Sequence, residues 1–258
     1  MLRLLAEAEV PAQEAGVLTA VAVREGQPVK RGELLAQIDD RKSHMAQRAA
    51  ELARDEAQAK ADNDVKIRFA DKSLEVAEAE LRRSMESIER FAKSISQSQL
   101  DVERLTVEKS RLEKEQAGHE ADMDALAAKS KENELDAAKL EVERRQIAAP
   151  FDGVVVQIFV RLGEWVEPGQ KAMRIVDART LKAEGFVDAG QASGELLGQP
   201  VRLSVALADD PAATFGGKVA FVSPEVDPIT GQVRIWAEID NRDGRLRPGQ
   251  PVKMTISP

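Results

Sequence analysis

The 258-residue chain has no cysteine, which excludes disulfides, thiol catalysis and thiolate metal sites. It has no tyrosine either, and aromatic residues make up only 3 % of it, so much of its length is not a conventional globular core. No apolar run approaches the roughly 18 residues that a membrane-spanning helix needs. The opening, MLRLLAEAEVPAQEAG, is too short and too acidic for a secretory signal, so the chain is expected to be cytosolic or to lack its targeting segment. No run of Lys or Arg interrupts a net charge of -8 and a pI near 5.1, which argues against nucleic acid as a partner. The two histidines, His44 and His119, are far apart, and the six methionines form no copper-binding cluster; no metal or cofactor site is expected. No Ser-His-Asp grouping, phosphate loop or dinucleotide spacing is present, so the chain is not expected to be an enzyme.

What is there begins with a repeat. The stretch AGVLTAVAVREGQPVKRGELLAQID (Ala15 to Asp39) aligns without a gap on DGVVVQIFVRLGEWVEPGQKAMRIV (Asp152 to Val176) at a constant offset of 137. Gly16, Gly26 and Gly32 fall on Gly153, Gly163 and Gly169, where the backbone must turn. Between them Val17, Val21 and Val23 answer to Val154, Ile158 and Val160 with the alternation of half-buried strands. A lone strand pair is marginal in water, so the two copies together predict one sandwich.

Between the copies there is no proline from Pro28 to Pro150 and no glycine from Gly32 to Gly118, and Ala, Glu, Lys, Arg, Gln and Leu dominate. This predicts long helices. Leu74, Ala77, Leu81, Ser84, Ile88, Phe91 and Ile95 mark an apolar stripe on a first arm. Leu105, Leu112, His119, Leu126, Asn133, Leu140 and Ile147 recur every seven residues on a second, with Val102 and Met123 on a companion row. The second β copy must reach the first, so the insert must return; an antiparallel hairpin does this, with a tip near 92–98 and Ser96 or Ser98 capping the returning helix.

After Asp177 short strands return: VRLSVAL, GGKVAFV, QVRIWAEI and PVKMTI, separated by turn chemistry. They predict an antiparallel barrel or sandwich. Val233, Ile235, Ala237 and Ile239 share one face, leaving Trp236 on the other, where it is either covered by its own barrel or an interface anchor. Trp165, in the turn of the second copy, carries the same two readings.

The ordered succession of EGQPVKRGELLAQID, a helical hairpin, IAAPFDGVVV, LGEWVEPGQ and SPEVDPITGQVRIWAEIDNRDGRLRPGQPVKMTI resembles the membrane fusion proteins, the HlyD-like periplasmic adaptors of tripartite efflux and secretion systems. The resemblance implies an α+β fold: a split biotinyl/lipoyl-like β-sandwich (10–39 plus 150–177), a long antiparallel α-helical coiled-coil hairpin (40–149) and an antiparallel β-barrel (178–258). It implies a non-catalytic adaptor in the periplasm, associated with the inner membrane. Its partners would be an inner-membrane transporter of RND or ABC type, an outer-membrane channel and further copies of itself in a ring, expected to be a hexamer. In the RND subgroup the hairpin tip carries an Arg, a Leu and a Ser that meet the channel; ISQSQLD resembles the Ser-bearing segment and places that role on Ser96, with Arg90, Ser94 and Ile95 beside it. The pattern departs at Glu89, which stands where the Leu is expected, and in the spacing of Arg90 and Arg83. Trp165 and Trp236 are the expected protomer or transporter contacts. The family's membrane-proximal domain needs more chain at both ends, so a truncated chain or a compact adaptor is expected.

Two other readings share parts of this pattern. A lipoyl or biotinyl carrier uses the same β module but needs a Lys at the tip of the joining turn, and the nearest candidate, Lys42 in DDRKSH, lies where helix should begin. A cytosolic structural coiled-coil protein accounts for the helices alone.

Overall fold

A computed structural model describes residues 1–91, 95–192, 196–207 and 213–256. The chain divides into two compact units, one of Met1–Asp39 with Arg144–Pro258 and the other of Asp40–Glu143.

The first unit holds the strands. β1 (Leu2–Pro11), β2 (Gly16–Val21), β3 (Pro28–Val29) and β4 (Leu34–Ile38) precede the helices; β5 (Gln146–Ala148), β6 (Gly153–Ile158), β7 (Trp165–Val166), β8 (Lys171–Asp188), β9 (Pro200–Val205), β10 (Ala213–Val226), β11 (Gln232–Asp240) and β12 (Lys253–Ile256) follow. One sheet runs β12-β9-β10-β11-β8-β6-β3 with β1 also on β8, and a smaller one runs β5-β4-β2-β7.

The two sequence copies are interleaved by a pseudo-twofold. Pro28 and Val29 of the first copy pair with Val154 and Gly153 of the second, while Trp165 and Val166 of the second pair with Val17 and Gly16 of the first. The connecting hydrogen bonds repeat with the same offset: Gly26 N donates to Val155 O as Gly163 N donates to Leu18 O, and Gly32 N to Ala149 O as Gly169 N to Ala12 O. Burial follows suit, because Leu18, Val23, Val29 and Ile38 share one core with their counterparts Val155, Val160, Val166 and Ile175. Each copy therefore lends its short strand to the other, and neither closes a core alone. Gly153 is required by close approach: a Cβ there would lie 2.5 Å from Val176 O and 2.9 Å from Ile175 Cγ2.

β8 pairs first with β6 and then with β11, so the boundary expected at 177/178 lies inside one continuous strand. Beyond it, Leu181, Ala183, Leu203, Val219, Ala237 and Ile239 form the barrel core. Ile147, expected on the helical stripe, is instead buried in β5, which pairs with β4; the helix stops at Glu143, short of the expected hairpin end at 149. The seven-residue spacing continues past the helix by coincidence, and pairing with β4 decides the residue's state.

The second unit consists of α1 (Arg41–Ala61), α2 (Val65–Arg90) and α3 (Gln97–Glu143). Lys60 pairs with Asp124 at 2.7 Å, Lys66 with Glu120 at 3.0 Å and Lys114 with Asp71 at 2.8 Å, so α1 and α2 together run antiparallel to α3. The Glu120 carboxyl is held below its ordinary range by the Gln116 amide and the Lys66 ammonium, and the Lys60 ammonium is raised by its hydrogen bond to Asp124.

The first arm is broken at Asp62–Asp64, which the absence of proline and glycine did not indicate. Two causes are visible. Asp62 and Asn63 satisfy backbone and neighbours locally, Asn63 Oδ1 accepting from Val65 N and Asp62 Oδ1 from Gln58 Nε2. The inward rows also change phase: Ser43, Ala50 and Ala57 recur every seven residues, as do Ala70, Ala77 and Ser84, but Ala57 to Ala70 is one residue short of two heptads. A continuous helix would turn the second row by about 100°; the break re-aims it at α3.

Candidate functional site

At the tip, α2 ends at Arg90, whose side chain is exposed, and Phe91 leaves the helix in an extended conformation with its N–H on Ser87 O. Ser96 caps α3: its Oγ accepts from Gln99 N at 3.2 Å, and its carbonyl accepts from Gln99 N and Leu100 N. That satisfies backbone donors left open at a helix start. Ile95 is half-buried beside it, and Ser94 lies outside the described residues. The structure thus brings Arg90, Ile95 and Ser96 to one end of the hairpin.

Phe91 is the tip residue that sequence reasoning misplaced. The first-arm stripe holds through Leu74, Ala77, Leu81, Ser84 and Ile88, all buried or half-buried, but Phe91 is 73 % exposed. The helix ends one residue too early to carry the row onward, and the extended backbone at Phe91 turns its ring to solvent. The only signal in the sequence was its place directly before the expected tip at 92–98, where helical phase stops applying.

The second-arm stripe is corrected as well. Leu105, Leu112, Leu126 and Leu140 are 64, 60, 59 and 45 % exposed, and Val102, Met123, His119 and Asn133 are exposed with them. The face of α3 that meets α1 and α2 is a different pair of heptad rows, containing Leu100, Ala128, Leu135 and Val142 on one and Ser110 and Ala117 on the other. Seven-residue periodicity recurs on both faces; the arms close over small side chains, Ala70 and Ala77 against this side of α3, and the larger leucines are left on the opposite side. On α1 the exposed Met45 and Leu52 likewise lie opposite its buried Ser43 row.

In the first unit Trp165 is 60 % exposed, on a short edge strand beside the exposed Val17. Trp236 differs: it stacks on Phe221 with centroids 6.1 Å apart and carries Lys182 Nζ 4.8 Å from its ring centre, so its own barrel covers part of it. Among the described residues no helix is long and apolar enough to cross a membrane.

A sandwich assembled from two interleaved half modules, an antiparallel helical hairpin between them and a barrel after them define an adaptor-type membrane fusion protein fold. Comparison with known proteins agrees. The family described as the RND MFP barrel-sandwich hybrid domain matches residues 6–178, and the CusB-like beta-barrel domain matches residues 187–258. The chain belongs to the membrane fusion protein family of RND systems. Similar proteins include the multidrug resistance protein MdtA of Photorhabdus laumondii, 25 % identical over 96 % of this chain and 56 % of its own length. The solvent efflux pump periplasmic linker SrpA of Pseudomonas putida is 28 % identical over 94 % of this chain and 56 % of its own. The crystal structure of MacA from Actinobacillus actinomycetemcomitans shares the fold, with a TM-score of 0.61 and 23 % identity over 99 % of this chain and 75 % of that one. The chain spans about half the length of the curated relatives it matches, 56 % of both MdtA and SrpA.

Proposed function

We propose that the protein is a non-enzymatic periplasmic adaptor of a tripartite efflux system, joining an inner-membrane transporter of RND type to an outer-membrane channel. The observation that carries this reading is family membership over both β regions together with a hairpin whose end presents Arg90, Phe91 and Ser96 to solvent. The tip residues Arg90, Ser94, Ile95 and Ser96 are proposed to meet the channel, and Phe91 joins them as an exposed aromatic anchor.

Copies of the chain are proposed to assemble side by side. Support comes from the two exposed apolar faces of the hairpin, the leucines of α3 on one side and Met45 and Leu52 of α1 on the other. Two different faces that fit one another give a head-to-tail contact, which closes into a ring when the rotation permits. A hexamer is the expected closed form. Trp165 with Val17 is the stronger candidate for a second protomer or transporter contact, because Trp236 is already partly used within its barrel. Export assays in a strain lacking the chromosomal adaptor, with the tip altered, test this reading: retained export with a charged tip contradicts it.

A further inference from the structure

The two copies of the β module are related by a pseudo-twofold, so their matched outer edges point away from each other across its axis. β3 ends the larger sheet and β7 ends the smaller, and among the described residues no strand pairs with the far side of either. At three matched positions these edges carry unlike residues. Glu25, Pro28 and Lys30 of the first copy answer to Leu162, Trp165 and Glu167 of the second at the offset of 137. Glu25 is tied into the fold, its Oε1 accepting from Ile158 N at 2.9 Å, which leaves Lys30 as the exposed charge of its edge. The same fold thus presents an apolar, anionic edge at β7 and a cationic one at β3.

The shapes differ as the charges do. At β7, Trp165 and Leu162 stand in solvent with Val17 beside Trp165 on the paired strand, and Glu167 is exposed two residues on. Next to β3, a cavity of about 510 Å³ opens between the sandwich and the loop that follows β11, walled by Pro28, Val29, Val154 and Ala178, with Lys30 and Arg242 exposed at it. Its carboxylates are already answered: Asp152 and Asp177 both pair with Arg179, and Glu33 accepts from Lys30 N. Arg242 meets Asp240 only at 3.6 Å, with most of its side chain in water. The volume falls within the roughly 300–1,000 Å³ that takes a compact apolar group, and cations beside such a space suit the face of an indole.

We propose that the β7 edge of one copy seats in this cleft of the next, Trp165 entering between sandwich and barrel with Glu167 beside Lys30. The contact rests on the side-by-side assembly proposed above and gives it an anchor away from the hairpin. Two unlike faces that fit one another repeat from copy to copy, and a buried aromatic in a pocket is the kind of residue that dominates such a contact. The charges set the pairing: two β7 edges would bring Glu167 against Glu167, and two clefts would bring Lys30 against Lys30. Divergence between the two halves of one repeat is then what makes neighbours complementary.

The test mixes equal amounts of the chain at natural abundance and labelled with nitrogen-15, joins touching amines and carboxyls with a carbodiimide, and maps the products by mass spectrometry. A mixed-label peptide pair linking Glu167 to Lys30 is the expected result. Sedimentation then follows the substitutions. Trp165→Ala is expected to raise the dissociation constant at least about tenfold. Lys30→Glu and Glu167→Lys are each expected to raise it at least about threefold, and the two together in one chain to restore it, which a folding defect would not do. Absence of the Lys30 link, links from Glu167 only to other lysines of a second copy, or a double variant no tighter than the single ones would overturn the proposal. No channel or export enters the readout, so failure here leaves the adaptor reading to its own test.

Discussion

Ser96 has two duties that substitution can separate. Ser96→Asp keeps an oxygen acceptor at the cap and adds a negative charge at a helix N-terminus, where it is favourable. Ser96→Arg loses the cap at a cost of about 1 kcal/mol. Both variants are expected to abolish channel engagement, measured by export, while only Ser96→Arg lowers the stability of the hairpin in thermal denaturation. Export unaffected by either would remove the tip from the mechanism. Gly153→Ala belongs to the same scale but to folding: its Cβ would collide with the Val176 carbonyl, and the loss expected in a denaturant titration is about 1–3 kcal/mol. Asp177 is held below its ordinary range by hydrogen bonds from Arg179, partly offset by burial. A carboxyl depressed in the folded state contributes stability above its unfolded value, about 4, and loses it as pH falls through the folded one. Asp177→Asn is therefore expected to flatten the acid limb of the stability profile below about pH 4 and to leave neutral pH with a deficit under about 1 kcal/mol.

Among the elements, α3 carries the consequence with the most reach. Leu112→Arg and Leu126→Arg lie on its exposed face, so the monomer should keep its stability within about 0.5 kcal/mol while self-association is lost in analytical ultracentrifugation. If these variants unfold instead, the leucines face the arms and the packing described here is wrong. Replacing Asp62, Asn63 and Asp64 together by Ala should extend helix through the break and rotate Ala70 and Ala77 away from α3; a zero-length amide cross-link between the paired Lys66 ammonium and Glu120 carboxyl would then form in the parent and fail in the triple variant. These elements also show what could be read in advance. The paired half modules were legible because glycines at matched spacing fix turns, and the hairpin because the second copy must return to the first. Which heptad row faces inward was not legible: the rule that large apolar residues lie at the seam fails where arms close over Ala and Ser. The break was hidden because DND interrupts a helix by side-chain competition and a one-residue phase slip, without proline or glycine. A serine cap was readable from its place before the returning helix, with Ser96 and Ser98 both open, and the hydrogen bond from Gln99 N selects Ser96; the exposure of Phe91 was missed because the seven-residue rule was carried one step past the helix that enforces it.

For the whole molecule, the interleaved sandwich closes only when the hairpin has brought its second half back, so insertion of the helices and closure of the core are one folding event. In the proposed assembly many shallow contacts, each tip and each apolar face contributing little, would act together across copies. The proposed adaptor role turns on contact between the hairpin tip and an outer-membrane channel. The direct measurement places a photo-crosslinking phenylalanine analogue at Phe91, which is exposed and caps no helix, in the protein made in its own cells, with mass spectrometry of what is captured. Capture of an outer-membrane channel protein is the predicted result. Capture of cytosolic enzyme subunits, or only of other copies of this chain, would contradict it.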